Sequence, residues 1–326
     1  MAPSRPPPRS SLPGYGYRFT SFWSLAGSPD GLFVSAVQLP PPENTRESLE
    51  ILHWSTVTSA SVHPIERLRM VARAAGEGPA LLAQEAAGAL AAFGDDPAGL
   101  VTACRRLVDR QPTSGPFWWL SARVLAAVDP VDQAWRAADD LHADRTPLTL
   151  SSELPEGEVV TVVGWPEQVG AALYRRGDTE VFVVDAFGEG YGLVRRLRAA
   201  DVDATLVPEA GLGAAVSRST MVLLEAGALG PTGFVATPGS HAAAAVAAHL
   251  AKPVWVAAGV GRVLPGPLWT ALLRRIDDDD PWDAAEEVVP LDLVDRVVRP
   301  DGLLVPADAL TRTGCPVAPE LMREMH

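Results

Sequence analysis

The chain has 326 residues, 47% of them hydrophobic and 21% charged, which is enough apolar material for a sizeable core and unlike a disordered composition. Forty acidic against 27 basic side chains leave a net charge of −13, which repels phosphate backbones and, with no local basic patch, excludes a nucleic-acid groove. Two cysteines, Cys104 and Cys315, exclude a disulfide framework and a multi-cysteine zinc site, and no apolar run reaches the roughly 18 residues needed to span a membrane.

Residues 1–62 read as an extension, disordered or weakly structured. The opening stretch APSRPPPRSSLP is rich in Pro, Ser and Arg and lacks the apolar core of a secretory signal. Helical grammar begins at His63-Pro64. In IERLRMVARAA the apolar positions Ile65, Leu68, Val71 and Ala72 fall on one helical face. PALLAQEAAGALAAF (79–93), PAGLVTACRRLVDR (97–110), SGPFWWLSARVLAAV and PVDQAWRAADDLHA continue the pattern, with prolines suited to first helical turns. A helical domain over 63–148 is expected.

After Leu148 short β-branched runs alternate with helical stretches. The strands are expected in EVVTVVG (158–164), EVFVVDA (180–186), DATLVPE (203–209), TMVLLEA (220–226) and PVWVAAG (253–259). Runs this apolar are covered on both faces, so 149–326 is expected to be an α/β, Rossmann-like domain, with a mostly parallel sheet and helices on both sides. Ligands on such sheets gather at the carboxyl ends of the strands. Here those loops are 164–166, 185–192, 209–213, 225–230 and 259–262.

Few motifs of known chemistry survive inspection. Gly188, Gly190 and Gly192, and then Gly211 and Gly213, lack the spacing of a dinucleotide fingerprint, and no P-loop or nucleophile elbow exists. Neither a cofactor nor a metal is expected. The six histidines are dispersed, and the Asp277–Asp280 run reads as a solvated turn. Cys104 and Cys315 read as packing residues. Gly239-Ser240 opens the Ala-rich helix after FVATP; free amides there suit a phosphate, while Ser240 equally suits an ordinary N-cap.

The segment VLLEAGALGPTGFVATPGSHAAAAVAAHLAKPVWVAAG (222–259) resembles the signature region of the translation initiation factor 2B alpha/beta/delta superfamily. That superfamily also holds methylthioribose-1-phosphate isomerase and ribose-1,5-bisphosphate isomerase. RQPTSGPFWWL (110–120) and PLDLVDRVVRPDGL (290–303) resemble two further family segments, so the likeness covers about 64–305 in matching order. It implies a helical domain on a Rossmann-like sheet, and a homodimer formed through the C-terminal part. The isomerases use a Cys after the first strand and an Asp in a GAD motif as acid and base. Those positions fall on Trp165 and Gly227, which supply neither. The family's substrate-binding Asn-Lys becomes Ala236-Thr237, its Arg before Pro-Thr becomes Gln111 beside Arg110, and another Arg and Gln fall on Phe187 and Tyr191, with Gly192 kept.

The resulting expectation is a cytoplasmic, non-catalytic protein that binds a phosphorylated sugar or nucleotide, a protein partner, or both. Its ligand-binding candidates are Arg110, Gly164, Trp165, Gly192, Gly227, Gly239 and Ser240. Trp165, Phe187 and Tyr191 are expected either to fill the old cavity or to form a stacking wall for a base. The alternative is an aldose–ketose isomerase acting on a ribose-1-phosphate derivative. Asp185, Glu189, Glu209 or Glu225 would then replace the missing groups.

Overall fold

Prolines and carboxylates set the starts of the N-terminal helices. The computed structural model describes residues 79–276 and 280–323; the expected extension, the expected helix from Ile65 and most of the Asp277–Asp280 run lie outside them. The first described helices are α1 (Pro79–Ala91), α2 (Pro97–Arg110), α3 (Gly115–Ala126) and α4 (Pro130–His142). Asp96 caps α2 by accepting from the Gly99 amide at 2.9 Å, and Asp129 caps α4 by accepting from the Asp132 amide at 3.0 Å. Leu100, Ala103, Cys104, Leu107 and Val108 form the buried stripe of α2. Helix α3 is buried almost all round, with Phe117, Trp118, Trp119 and Leu120 inside.

A short helix α5 (Thr146–Glu153) runs through the expected boundary at 148 and leads into the sheet. The alternation that follows is β1 (Val159–Val163), α6 (Glu167–Arg176), β2 (Glu180–Val184), α7 (Gly190–Arg198), β3 (Asp203–Val207), α8 (Leu212–Arg218) and β4 (Met221–Glu225). Then come β5 (Ala228–Gly230), β6 (Gly233–Ala236), α9 (Ser240–His249), β7 (Val254–Ala257), α10 (Gly266–Arg275), β8 (Glu287–Pro290), β9 (Arg296–Arg299), β10 (Gly302–Leu304) and α11 (Pro306–Thr311).

Among the described residues the main sheet has seven strands in the order β10-β9-β7-β4-β1-β2-β3. All its pairs are parallel except β9 with β10. Side chains alternate between two covered faces. Val160, Val162, Val181, Val183, Met221 and Leu223 meet α5, α6 and α7 through Leu150, Val169, Leu173 and Leu193. Phe182, Val184, Val222 and Leu224 pack with Ala215 and Val216 of α8 and Ala243 and Ala247 of α9. This is the expected α/β, Rossmann-like fold. Strands β5, β6 and β8 form a separate antiparallel sheet that the sequence reading did not include.

The helical core is not confined to the N-terminal half. Leu268, Trp269 and Leu272 of α10 and Cys315, Ala318 and Leu321 of the tail join Trp118, Trp119 and Leu107 in one cluster. Arg275 fastens the two ends: its Nε lies 2.6 Å from Asp109, its Nη2 donates to the Leu321 carbonyl at 3.0 Å, and its guanidinium covers the Trp118 ring. Both cysteines sit in this cluster. Burial pushes each thiol up to about 12, in Cys315 against the charge of Arg123. Native protein at about pH 8 is therefore expected to leave Ellman's reagent unreacted while the unfolded chain titrates both thiols. Rapid native labelling of either one would contradict this packing.

Candidate functional site

The chain leaves β1 toward β2 and β3, then returns to place β4 on the other side of β1. The gap between the carboxyl ends of β1 and β4 is thus the crevice where such sheets hold ligands. Gly164 ends β1 with φ +66°, a left-handed turn, and a Cβ there would lie 3.1 Å from the Thr237 methyl. Across the gap, Glu225 ends β4 and points its carboxylate at the first turn of α6. Its Oε2 accepts from the Gln168 amide at 2.7 Å and the Val169 amide at 3.3 Å. Its Oε1 lies 3.0 Å from Arg262 Nη2, with the two side chains only 10% and 7% exposed. Arg262 also donates from Nη1 to the Ala226 carbonyl at 2.5 Å. Burial pushes the Glu225 carboxyl above its ordinary range, while Arg262 and the two amides pull the other way.

An N-terminal amide cluster after the first strand is where an anion normally sits on this kind of sheet. Here the chain supplies that anion itself. The same arrangement recurs twice. Asp185 Oδ1 accepts from the Gly190 amide at 2.9 Å at the start of α7. Glu287 Oε1 accepts from the His241 amide at 2.7 Å at the start of α9. At α9 the N-cap is Gly239, with φ +97°, and Ser240 is the first helical residue, so the expected Ser240 cap does not form. The Ser240 amide donates to the Thr237 carbonyl at 3.1 Å.

A second carboxylate ties the helical region to this edge. Asp144, after α4, accepts from Gln168 Nε2 at 2.7 Å and the Val260 amide at 2.9 Å through Oδ2, and from the Thr146 amide and hydroxyl through Oδ1. Gly259 permits the approach: a Cβ there would fall 2.0 Å from Asp144 Oδ2 and 2.3 Å from Gln168 Nε2. Beside this knot lies an open cavity of about 160 Å³, lined in part by Leu141, His142, Glu167, Gln168, Val260 and Arg262. Among the described residues no cluster of His, Cys, Asp and Glu is arranged to hold a metal.

The other expected positions separate into groups. The benzo edge of the Trp165 ring abuts Gly192, where a Cβ would come within 2.1 Å of it, so these two candidates do meet. Gly239 joins them near the end of β1, with its Cβ position 3.4 Å from Val163. Gly227 is closed off by the helical region. The Gly115 amide donates to its carbonyl at 2.9 Å, and a Cβ on Gly227 would press on the Thr113 carbonyl at 3.0 Å. Arg110 lies exposed on the last turn of α2, with no hydrogen bond to any of these residues. The expectation that Phe187 and Tyr191 fill a cavity is not met: they are 71% and 64% exposed, and Trp165 is 39% exposed. Arg262 was absent from the candidates, although it is the one cation within the loop after β7.

Solved structures share this arrangement of helical region and sheet. Translation initiation factor eIF2B of Pyrococcus horikoshii OT3 superposes with a TM-score of 0.63 at 14% identity, over 76% of this chain and 98% of the other. The eIF2B beta subunit of Chaetomium thermophilum gives 0.63 at 18% identity, over 80% and 93%. The chain has the eIF2B fold. The tetrameric eIF2B-beta2-delta2 complex of C. thermophilum also matches, with a TM-score of 0.63 at 19% identity over 76% and 92% of the two chains. No family model matches the sequence, and neither does any curated protein. On this eIF2B fold, no helix among the described residues is long and apolar enough to cross a membrane.

Proposed function

We propose that this protein is a non-catalytic, cytoplasmic member of the eIF2B-like group that works by binding a protein partner, itself included as a homodimer. One observation carries the reading: the helix starts facing the strand ends are held by the chain's own Glu225, Asp185 and Glu287 carboxylates. A phosphorylated ligand would have to displace a carboxylate or share its amides, at a cost in both charge and hydrogen bonds.

Two further features support it. The position that resembles the isomerases' base is Gly227, and the Thr113 carbonyl restricts the space beside it. The position that resembles their thiol is Trp165, whose indole does not exchange protons at neutral pH. Protein partnership is in keeping with the beta2-delta2 complex found among the similar structures. Incubating the protein with methylthioribose-1-phosphate or ribose-1,5-bisphosphate, while following ketose formation and thermal stability, tests the reading. No product and no saturable stabilisation are expected. Turnover lost in Glu225→Gln would establish the isomerase instead, and saturable stabilisation without turnover would establish a sugar-phosphate binder.

A further inference from the structure

The carboxyl ends of β1, β2 and β3 carry a row of apolar side chains left open to solvent. Trp165 follows β1, Phe187 lies in the turn between β2 and α7, Tyr191 is in the first turn of α7, and Leu206 lies on β3, the edge strand. They adjoin through the first turn of α7. The Trp165 ring rests on Gly192, and Leu206 Cδ1 is 3.1 Å from the Cβ position of Gly190. Phe187 is held at φ +54°, a left-handed conformation disfavoured for an aromatic residue, in a loop that leaves its ring outside the core.

Carboxylates border this row, and the nearest cation on α7 is Arg195, one helical turn beyond Tyr191. Glu167, Glu189 and Glu209 follow the ends of the same three strands, all exposed, and none of their carboxylates makes an ion pair or hydrogen bond among the described residues. A nucleotide stacked on these rings would bring its phosphates among three free carboxylates, which works against the base-stacking role expected for them. A guanidinium meets the opposite situation, because ring faces and carboxylates both attract it. This chain already pairs Arg with rings in that way: Arg196 lies 5.7 Å from the Tyr174 ring on the neighbouring helices, and Arg123 lies 4.6 Å from Trp119.

We infer that the Trp165–Phe187–Tyr191 row is the docking surface for an arginine-bearing segment of a partner protein. The inference deepens the protein-binding reading above and rests on it. Titration of the full chain into a labelled octa-arginine peptide, read by fluorescence anisotropy, tests it. Wild type is expected to bind octa-arginine more tightly than octa-lysine. Phe187→Ala/Tyr191→Ala, which leaves the charge unchanged, should weaken octa-arginine binding about five- to thirty-fold. Glu189→Gln should weaken it less, and Asp139→Asn, on the remote helix α4, should leave it unchanged.

Equal affinity of wild type and the double aromatic variant would mean bulk charge attraction only, and no binding by wild type would mean no such surface; either result overturns the inference. A wild-type dimer that dissociates on Phe187→Ala/Tyr191→Ala would overturn it too, by assigning the row to a second copy. Sugar-phosphate turnover would sink the non-catalytic reading through a separate assay, so the two failures are distinguishable.

Discussion

Arg262→Met is expected to lower the unfolding free energy by about 3–5 kcal/mol at neutral pH, the usual consequence of leaving one charge of a buried pair unpaired. Glu225 would retain the Gln168 and Val169 amides but lose the guanidinium 3.0 Å away, in a place nearly closed to water. The pH dependence identifies the cause. Burial raises the folded-state pKa of Glu225 above its ordinary 4.5, so the native state holds this proton more readily than the unfolded chain does. Its contribution to stability is therefore full below about 4.5 and falls as pH rises through the folded value.

Removing Arg262 takes away an influence that lowers that value, so the window extends further upward. The deficit of Arg262→Met should then be largest at neutral pH and shrink on acidification toward 4.5. Adding Glu225→Gln to Arg262→Met should restore part of the loss at neutral pH. Urea unfolding of the three proteins across this range measures both effects. A deficit independent of pH would place the energy in packing rather than in the stranded carboxylate.

Gly115→Ala is the second large effect expected. A Cβ at Gly115 would stand 2.8 Å from the Gly227 carbonyl oxygen and 3.0 Å from Arg262 Cα, both backbone atoms that rotamer changes do not move. Overpacking of about 1–3 kcal/mol, together with about 1 kcal/mol from the Gly115–Gly227 hydrogen bond, gives a loss of roughly 2–4 kcal/mol. Thermal unfolding should register a Tm lower by roughly 5–15 °C. Gly213→Ala is the matched control: its Cβ position has no neighbour within 4 Å, and helix α8 should gain slightly from alanine. Equal Tm values for Gly115→Ala and wild type would mean that α3 does not sit against the strand ends.

The parts of this molecule that depend on local pattern were legible in its sequence. All five expected strands of the parallel sheet form, because runs such as VVTVV and VFVV are buried on both faces. The small sheet escaped because ALG and GFVA are only three and four residues long and contain glycine, which leaves no period to read. The site was less legible for a different reason. Glu225 reaches amides 56 and 57 residues away, and Glu287 reaches one 46 residues away, distances at which sequence spacing says nothing. The glycines were marked as candidates by position. Their physical role, admitting Trp165 at Gly192 and the Thr113–Gly115 segment at Gly227, depends on contacts between separate elements.

The account depends on carboxylates of the chain itself occupying the helix starts at the sheet's carboxyl edge. A crystal structure of the protein soaked in high sulfate, refined with the oxyanions located, tests this most directly. The account predicts Glu225 on Gln168 and Val169, Asp185 on Gly190 and Glu287 on His241, with no sulfate at any of the three. A sulfate bound at the start of α6 or α9, with Glu225 or Glu287 turned away, would contradict it.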